Sequence, residues 1–283
     1  IDNISQHIKN KKIKFINGNT SNLKKLTKSM KNSEVIIHLS ANSDIVKSAK
    51  KPIMELKDGT IGTFNVLEAM KINKISKIIF TSSSVVYGEA KQMPTKENYG
   101  PLFPISFYGS SKLASEALIS AYCHNYNIKA WIFRFANVVG SRTTHGVIYD
   151  FYKKIKKDKN ILHVLGDGNQ TKPYIHVNDI VKAAFFCFKK SNDNLNFFNL
   201  GTVGHTKLKR IIKFFLKEMK LKNTKIIFAG GKRGWLGDVA KVKLDNTKIK
   251  KLGYKFQKLN SDEAFILGLK DSLAWLNKYA QKT

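Results

Sequence analysis

In the first half of this 283-residue chain, short β-branched and aromatic runs alternate with longer stretches of helical apolar period. That alternation restricts the fold more than any other feature. The runs Ile13–Ile16, Val35–Leu39, Lys77–Thr81 and Ala130–Phe135 read as strands. Leu23–Met30, Met54–Ile72 and Phe107–Tyr126 read as helices between them. A strand that reaches its successor through a helix runs parallel to it, and the helix covers one face of the sheet. The expectation is an α/β fold with a doubly wound parallel sheet. The second half is more mixed, with helices at Gly146–Lys157, Asn178–Lys190, Thr206–Met219 and Ser261–Ala280. Strands are expected near Leu162–Leu165, Phe197–Leu200 and Lys225–Ala229, and a turn at Gly166-Asp167-Gly168. A boundary near Gly140 divides residues 1–140 from a smaller mixed α/β lobe, 141–283, with a cleft between them.

Composition removes several function classes. The chain is 42% hydrophobic, too apolar for a disordered segment. No stretch of eighteen apolar residues is present, and the first residues do not resemble a secretory signal. Cys123 and Cys187 form neither a metal spacing nor a disulfide framework, which points to a reducing, cytoplasmic setting. With 50 basic against 20 acidic residues the net charge is +30, which invites a nucleic-acid partner. The arginines that would grip phosphates and guanines bidentately are few: Arg134, Arg142, Arg210 and Arg233. The lysines are dispersed. After Thr206, Leu208, Ile211, Ile212, Phe215, Leu216 and Met219 form one apolar stripe, while Lys209, Arg210, Lys213, Lys217 and Lys220 fall opposite. Such lysines coat solvated faces, so neither a specific nucleic-acid partner nor a membrane is expected.

Chemistry is concentrated at two places. The run Thr81-Ser82-Ser83-Ser84-Val85-Val86-Tyr87-Gly88 ends a strand in hydroxyls, where open α/β sheets bind ligands. Downstream, Tyr108-Gly109-Ser110-Ser111-Lys112 places a phenol and an ammonium four residues apart, on one helix face. A neighbouring cation lowers a phenol's pKa and makes it a usable base. The spacing itself is weak evidence in a lysine-rich chain, recurring at Tyr87/Lys91, Tyr149/Lys153, Tyr152/Lys156 and Tyr254/Lys258. The upstream hydroxyl cluster singles out Tyr108.

Ser83, Tyr108 and Lys112 in this frame resemble the extended short-chain dehydrogenase/reductases, the NAD-dependent epimerase/dehydratase family. More narrowly, the chain resembles nucleotide-sugar epimerases that interconvert UDP-glucose and UDP-galactose. The likeness continues through Ile37-His38-Leu39-Ser40-Ala41, Gly62-Thr63 with Asn65-Val66-Leu67-Glu68-Ala69, and Arg134 to Arg142. It extends to Gly166-Asp167-Gly168-Asn169-Gln170 and Tyr174-Ile175-His176-Val177-Asn178-Asp179. It implies a Rossmann-type domain with tightly held NAD, a UDP-sugar substrate and a homodimer. The dimer would pair Met54–Ile72 and Phe107–Tyr126 with their copies. Tyr108 would exchange the proton of the sugar 4-hydroxyl, Ser83 would bond the same oxygen, and Lys112 would hold the nicotinamide ribose and depress the phenol. Asp2, Asn3, Asn19, Thr20, Leu39, Ser40 and Ala41 would line the cofactor. Asn137, Lys172, Arg233 and Asp238 would bind the nucleotide diphosphate and ribose. His38 and His176 read as structural. Family dehydratases carry an acid two residues before the tyrosine of V-Y-G; Val85 stands there, preceded by Ser84, which disfavours dehydration. Rivals on the same scaffold are epimerases of UDP-N-acetylhexosamines or UDP-glucuronate, or a catalytically silent fragment.

Departures from the family pattern are specific. Asn19 replaces an aspartate that bonds adenine, Gly59 a cofactor-contacting asparagine, and Ser141 a proline. No G-x-G-x-x-G occurs, and Ile13–Ile16 reads as the third strand of a 3-2-1-4-5-6 order. The expectation is a truncated chain whose full product carries roughly 30 more residues before Ile1, forming a strand, a glycine-rich turn, a helix and a strand. Such a chain alone would bind NAD poorly.

Overall fold

The computed structural model describes residues 4–8, 10, 12–42, 45–231, 234, 237–257 and 260–280. Its strands β1 (Ile36–His38), β2 (Lys77–Ser83) and β3 (Lys129–Phe135) pair in parallel in the order of the chain. Ile78, Ile79 and Phe80 follow one another along β2, and all are buried. Successive side chains point to opposite faces, so the strand needs cover on both sides. On one face, Val66, Leu67 and Met70 of helix Gly62–Ile72 and Ile119 of helix Phe107–Tyr126 pack on Ile78, Phe80 and Ile132. On the other, Ala183 and Cys187 of helix Val177–Lys190 pack with Ile79, Trp131 and Phe133. This is the expected doubly wound α/β arrangement.

Beyond β3 the chain forms β4 (Asn137–Val139), β5 (Ile161–Val164), β6 (Thr171–Lys172) and β7 (Tyr174–His176). It then returns to the first sheet as β8 (Leu195–Leu200), parallel to β3, before β9 (Thr206–Lys207) and β10 (Lys225–Phe228). The chain therefore crosses the line drawn near Gly140 more than once: the Val177–Lys190 helix and β8 belong to the first sheet. Among the described residues the second lobe is assembled from three two-stranded pairs, β4–β7, β5–β10 and β6–β9. Its core joins Phe151, Leu162, Phe215, Phe265 and Leu269. Among the described residues no helix is long and apolar enough to cross a membrane.

Two expected elements differ in kind, and the helix expected from Thr206 starts at Leu208, after strand β9. Ile13–Ile16 forms no strand, and Ile13, Phe15 and Ile16 are exposed. A strand exists only with a hydrogen-bonding neighbour, and β1 at the sheet edge pairs with β2 alone among the described strands. The helix expected over Met54–Ile72 opens with a wide π turn at Glu55–Ile61 before becoming α-helical at Gly62. Gly59 lies within that turn, and a Cβ there would stand 2.0 Å from Ser111 Oγ of the facing helix. Close approach of the two helices requires glycine at this point.

A buried ion pair ties sheet to helix. Glu116 accepts from Arg134 Nε at 2.9 Å and Nη2 at 2.5 Å, and from Ser82 Oγ at 2.5 Å. Arg134 Nη1 also donates to Tyr87 OH at 3.0 Å and to the Glu97 carbonyl at 3.1 Å. Removing one partner strands a buried charge, so Glu116→Ala is expected to cost about 3–5 kcal/mol in urea unfolding. Lys154→Ala, which breaks the half-exposed Asp150 pair, should cost about 0.5 kcal/mol or less. Equal costs for the two variants would show that the buried pair has no special role.

Candidate active site

Tyr108 sits in the first turn of helix Phe107–Tyr126, which Ser106 caps by accepting the Gly109 N–H at 3.1 Å. Gly109 lets this turn press on the chain just after β2: a Cβ there would lie 3.0 Å from the Val85 carbonyl. Ser83, the last residue of β2, caps the short turn Ser84–Tyr87 and hydrogen-bonds the Tyr108 phenol. One turn along the helix, buried Lys112 donates from Nζ to the Thr81 carbonyl at 2.6 Å. Its ammonium lies 4.7 Å from the Phe80 ring centre and 5.7 Å from that of Tyr108. The structure thus brings Ser83, Tyr108 and Lys112 together at the carboxyl end of β2.

The electrostatics depart from the sequence expectation. The Lys112 ammonium bonds the Thr81 carbonyl rather than the phenol, and the phenol stays above its ordinary value. Burial, reinforced by the Glu55 carboxylate, pushes the phenol up to about 12, against the opposing Ser83 hydrogen bond. Burial brings Lys112 down to about 8, while Glu55 and Glu116 pull it back up. His38, buried and paired with Thr63 Oγ1 at 3.0 Å, is lowered to about 4 by burial and then by Lys112. It is a neutral structural group. His176 likewise caps helix Val177–Lys190 and meets Asp271 at 3.0 Å.

The residues expected to line a cofactor fall along one connected path. Asn65 Nδ2 donates to the Thr20 carbonyl at 3.0 Å, and Thr63 of the same helix holds His38. Thr81 Oγ1 donates to the His38 carbonyl at 3.3 Å, and the Thr81 carbonyl takes Lys112. Leu39 and Ser40, exposed at the end of β1, continue this path. Asn19 uses its amide oxygen to accept the Ser21 N–H at 2.8 Å. Asp2 and Asn3 lie outside the described residues.

A second polar cluster sits in the other lobe. Lys172 Nζ meets Asp238 Oδ1 at 2.6 Å and also donates to the Val239 carbonyl. Asn137 hydrogen-bonds the Tyr174 phenol, which burial and Asp238 push up. Arg233 lies outside the described residues. The two clusters adjoin: at Gly237, φ +82°, a Cβ would lie 2.8 Å from the Ile105 carbonyl, three residues before Tyr108.

A model of the NAD dependent epimerase/dehydratase family matches residues 2–201. The chain belongs to this family. Within it, a Methanocaldococcus jannaschii protein provisionally named UDP-glucose 4-epimerase is 33% identical over 230 residues, 80% of this chain and 72% of its own. A crystal structure of UDP-galactose 4-epimerase superposes with a TM-score of 0.80 at 32% identity, covering 90% of this chain and 82% of that one. The UDP-glucuronic acid 4-epimerase of Bacillus cereus, bound to UDP-glucuronic acid and NAD, superposes at 0.85 with 25% identity, covering 98% and 86%. These family members are epimerases, enzymes of the isomerase class.

Sequence reading passed over Glu55, a buried carboxyl coupled to Tyr108 and Lys112, and the Glu116–Arg134 pair beneath them. Glu116 was detectable in principle, since it follows Lys112 by one turn on the same helix face. His38 supplies a test of the site's electrostatics. Its folded-state value lies below the 6.5 of an unperturbed imidazole, so the unfolded chain binds the proton more readily. Its contribution to stability is complete above pH 6.5 and is lost as pH falls toward 4. The drop in urea midpoint between pH 7 and pH 5 should therefore shrink in His38→Gln, and an undiminished drop would assign the acid loss elsewhere.

Proposed function

We propose that this chain is a nucleotide-sugar 4-epimerase that interconverts UDP-glucose and UDP-galactose with NAD, working in the cytoplasm. The observation that carries the reading is the meeting of Gly237 with Ile105, which sets the Lys172–Asp238 cluster against the start of the Tyr108 helix. A substrate anchored by a diphosphate at one cluster can present its sugar to the other. The donor chemistry fits NAD. The Lys112 ammonium and the hydroxyls of Ser40 and Thr20 suit ribose and phosphate oxygens, and exposed Leu39 offers an apolar surface for a ring. Residues 1–140 would mainly hold the cofactor and 141–283 mainly the nucleotide sugar. When bound, NAD supplies a hydride acceptor and, oxidised, a positive charge on its nicotinamide ring.

Tyr108, as the phenolate that the positive charge of bound, oxidised nicotinamide would favour over the phenol, takes the proton of the sugar 4-hydroxyl and returns it, which needs no net proton release from the site. Ser83, bonded to the phenol, shares the same oxygen and fixes its distance. Lys112 holds the cofactor ribose and adds positive charge beside the phenol. Ser84 and Val85, on the turn after Ser83, offer no carboxylic acid, so that turn lacks the acid for eliminating water from neighbouring carbons. Lys172 and Arg233 answer the diphosphate, Asn137 supports it, and Asp238 accepts from ribose hydroxyls. Relatives named for UDP-glucose and UDP-galactose support that sugar pair.

Tyr108→Phe is expected to lower kcat by roughly 10²–10⁴-fold while UDP-sugar binding survives. Lys172→Gln combined with Arg233→Gln should raise KM at least tenfold, the loss of about 1.5–3 kcal/mol per charged hydrogen bond, without changing NAD content. Near-normal turnover in Tyr108→Phe would remove the phenol from the reaction. Comparing kcat/KM for the UDP-hexose, UDP-N-acetylhexosamine and UDP-hexuronate pairs tests the sugar. A higher value for either of the last two would reassign the substrate.

The same reading includes a homodimer through helices Gly62–Ile72 and Phe107–Tyr126. Phe64 and Tyr126, 42% and 50% exposed, flank Tyr122 in an aromatic row on their outer face. Light scattering should give twice the chain mass, and Phe64→Glu should halve it; a monomeric native chain would refute the pairing.

A further inference from the structure

We propose that Glu55 is a positioning residue for the proposed proton-transfer pair: its buried carboxylate is the fixed counter-charge against which Tyr108 and Lys112 work. The proposal rests on reading Tyr108 as the proton-transfer group.

Glu55 opens the π turn and is 3% exposed. Its Oε1 accepts from Asn42 Nδ2 at 3.0 Å and from Ser48 Oγ, so donors from two other segments fix the carboxylate in place. Its backbone is fixed as well, because Ser111 Oγ donates to the Glu55 carbonyl at 2.9 Å. Ser111 immediately precedes Lys112 on the Tyr108 helix. The space between carboxylate and helix exists because residue 59 is glycine. A Cβ there would stand 2.0 Å from Ser111 Oγ and 3.7 Å from Glu55 Oε2. The turn thus brings a buried acid toward the helix that carries the pair and keeps the intervening position free of a side chain.

The charges around it form a small set. Lys112 attracts Glu55, and Asp58 on the same turn repels it. Burial raises the Glu55 carboxyl, opposed by the Ser48 and Asn42 hydrogen bonds and by Lys112. Lys112 in turn faces Glu55 and Glu116, and bears on His38. For Tyr108 the charge that opposes ionisation of the phenol is Glu55, with the Lys112 ammonium 5.7 Å from its ring centre. Glu55 therefore favours the protonated form of both members of the pair. Without its charge both should release their protons at lower pH. Lys112 needs this support because burial alone works against its ammonium.

Glu55→Gln keeps shape and hydrogen-bonding while deleting the charge. In the full chain with NAD, both limbs of the pH profile of kcat/KM should move down by roughly half a unit to one unit. KM for the UDP-sugar should change less than twofold. Independently of turnover, an NMR titration of Lys112 should fall below its native midpoint of about 8. Should Glu55→Gln fold poorly by thermal melting, Ser48→Ala removes one donor and leaves the acid in place. It raises the carboxyl's own pKa and should lower the acid limb by a smaller step. Loss of activity with an unmoved profile and an unmoved Lys112 titration would overturn the proposal and leave Glu55 a packing residue. If Tyr108→Phe is inactive while the Glu55 variants titrate like the native chain, only the Glu55 assignment fails. If Tyr108→Phe is active, the reading beneath it fails.

Discussion

The site depends on a polar stripe driven into the core along one face of helix Phe107–Tyr126. Ser111, Lys112, Ser115 and Glu116 are all buried there, and each has partners that justify its burial. Glu116 takes Arg134 and Ser82, Lys112 takes the Thr81 carbonyl, Ser111 takes the Glu55 carbonyl, and Ser115 reaches Thr63 Oγ1 at 3.1 Å. Buried polar groups cost free energy unless paired, so the stripe fixes the helix's rotation and height against β2. Apolar packing alone would tolerate a small slide of this helix. The Glu116–Arg134 pair holds it, and Tyr108 inherits its distance to Ser83 from that restraint.

Much of this was legible in the sequence where a residue's state depends on its own neighbours. Helices Phe107–Tyr126 and Ser261–Ala280 have the expected bounds, because Ser106 and Asn127 cap the first and apolar period carries both. The strands β2 and β3 follow from consecutive Ile, Phe and Trp residues, which suit cover on two faces. Illegible features were those set by a distant partner. Ile13–Ile16 has strand composition, yet strand character belongs to a pair. Glu55 sits in a lysine-rich helical stretch, where an acid reads as part of a solvated face; only Asn42, Ser48 and the close approach of Ser111 show otherwise. The orientation of Lys112 was equally hidden, since i and i+4 spacing places two side chains on one face without deciding which acceptor the longer one takes.

Backbone geometry couples the lobes beside side-chain bonds such as that from Ser272 Oγ to the Gly140 carbonyl at 2.6 Å. Gly237 adopts a left-handed conformation and approaches the Ile105 carbonyl more closely than any side chain would permit. Asp238, next in sequence, holds Lys172, and Ser106, next after Ile105, caps the Tyr108 helix. A shift of the 237–238 segment would therefore move Lys172 and the cap of the phenol-bearing helix together. An alanine at 237 would have to open this contact and leave its favoured backbone region, separating the two clusters by part of an ångström. Proton transfer is sensitive on that scale, whereas charge attraction to a diphosphate is not. In the proposed reaction the lobe contact therefore belongs with the chemistry of Tyr108 more than with the affinity of the nucleotide, although no atom of Gly237 need touch the sugar.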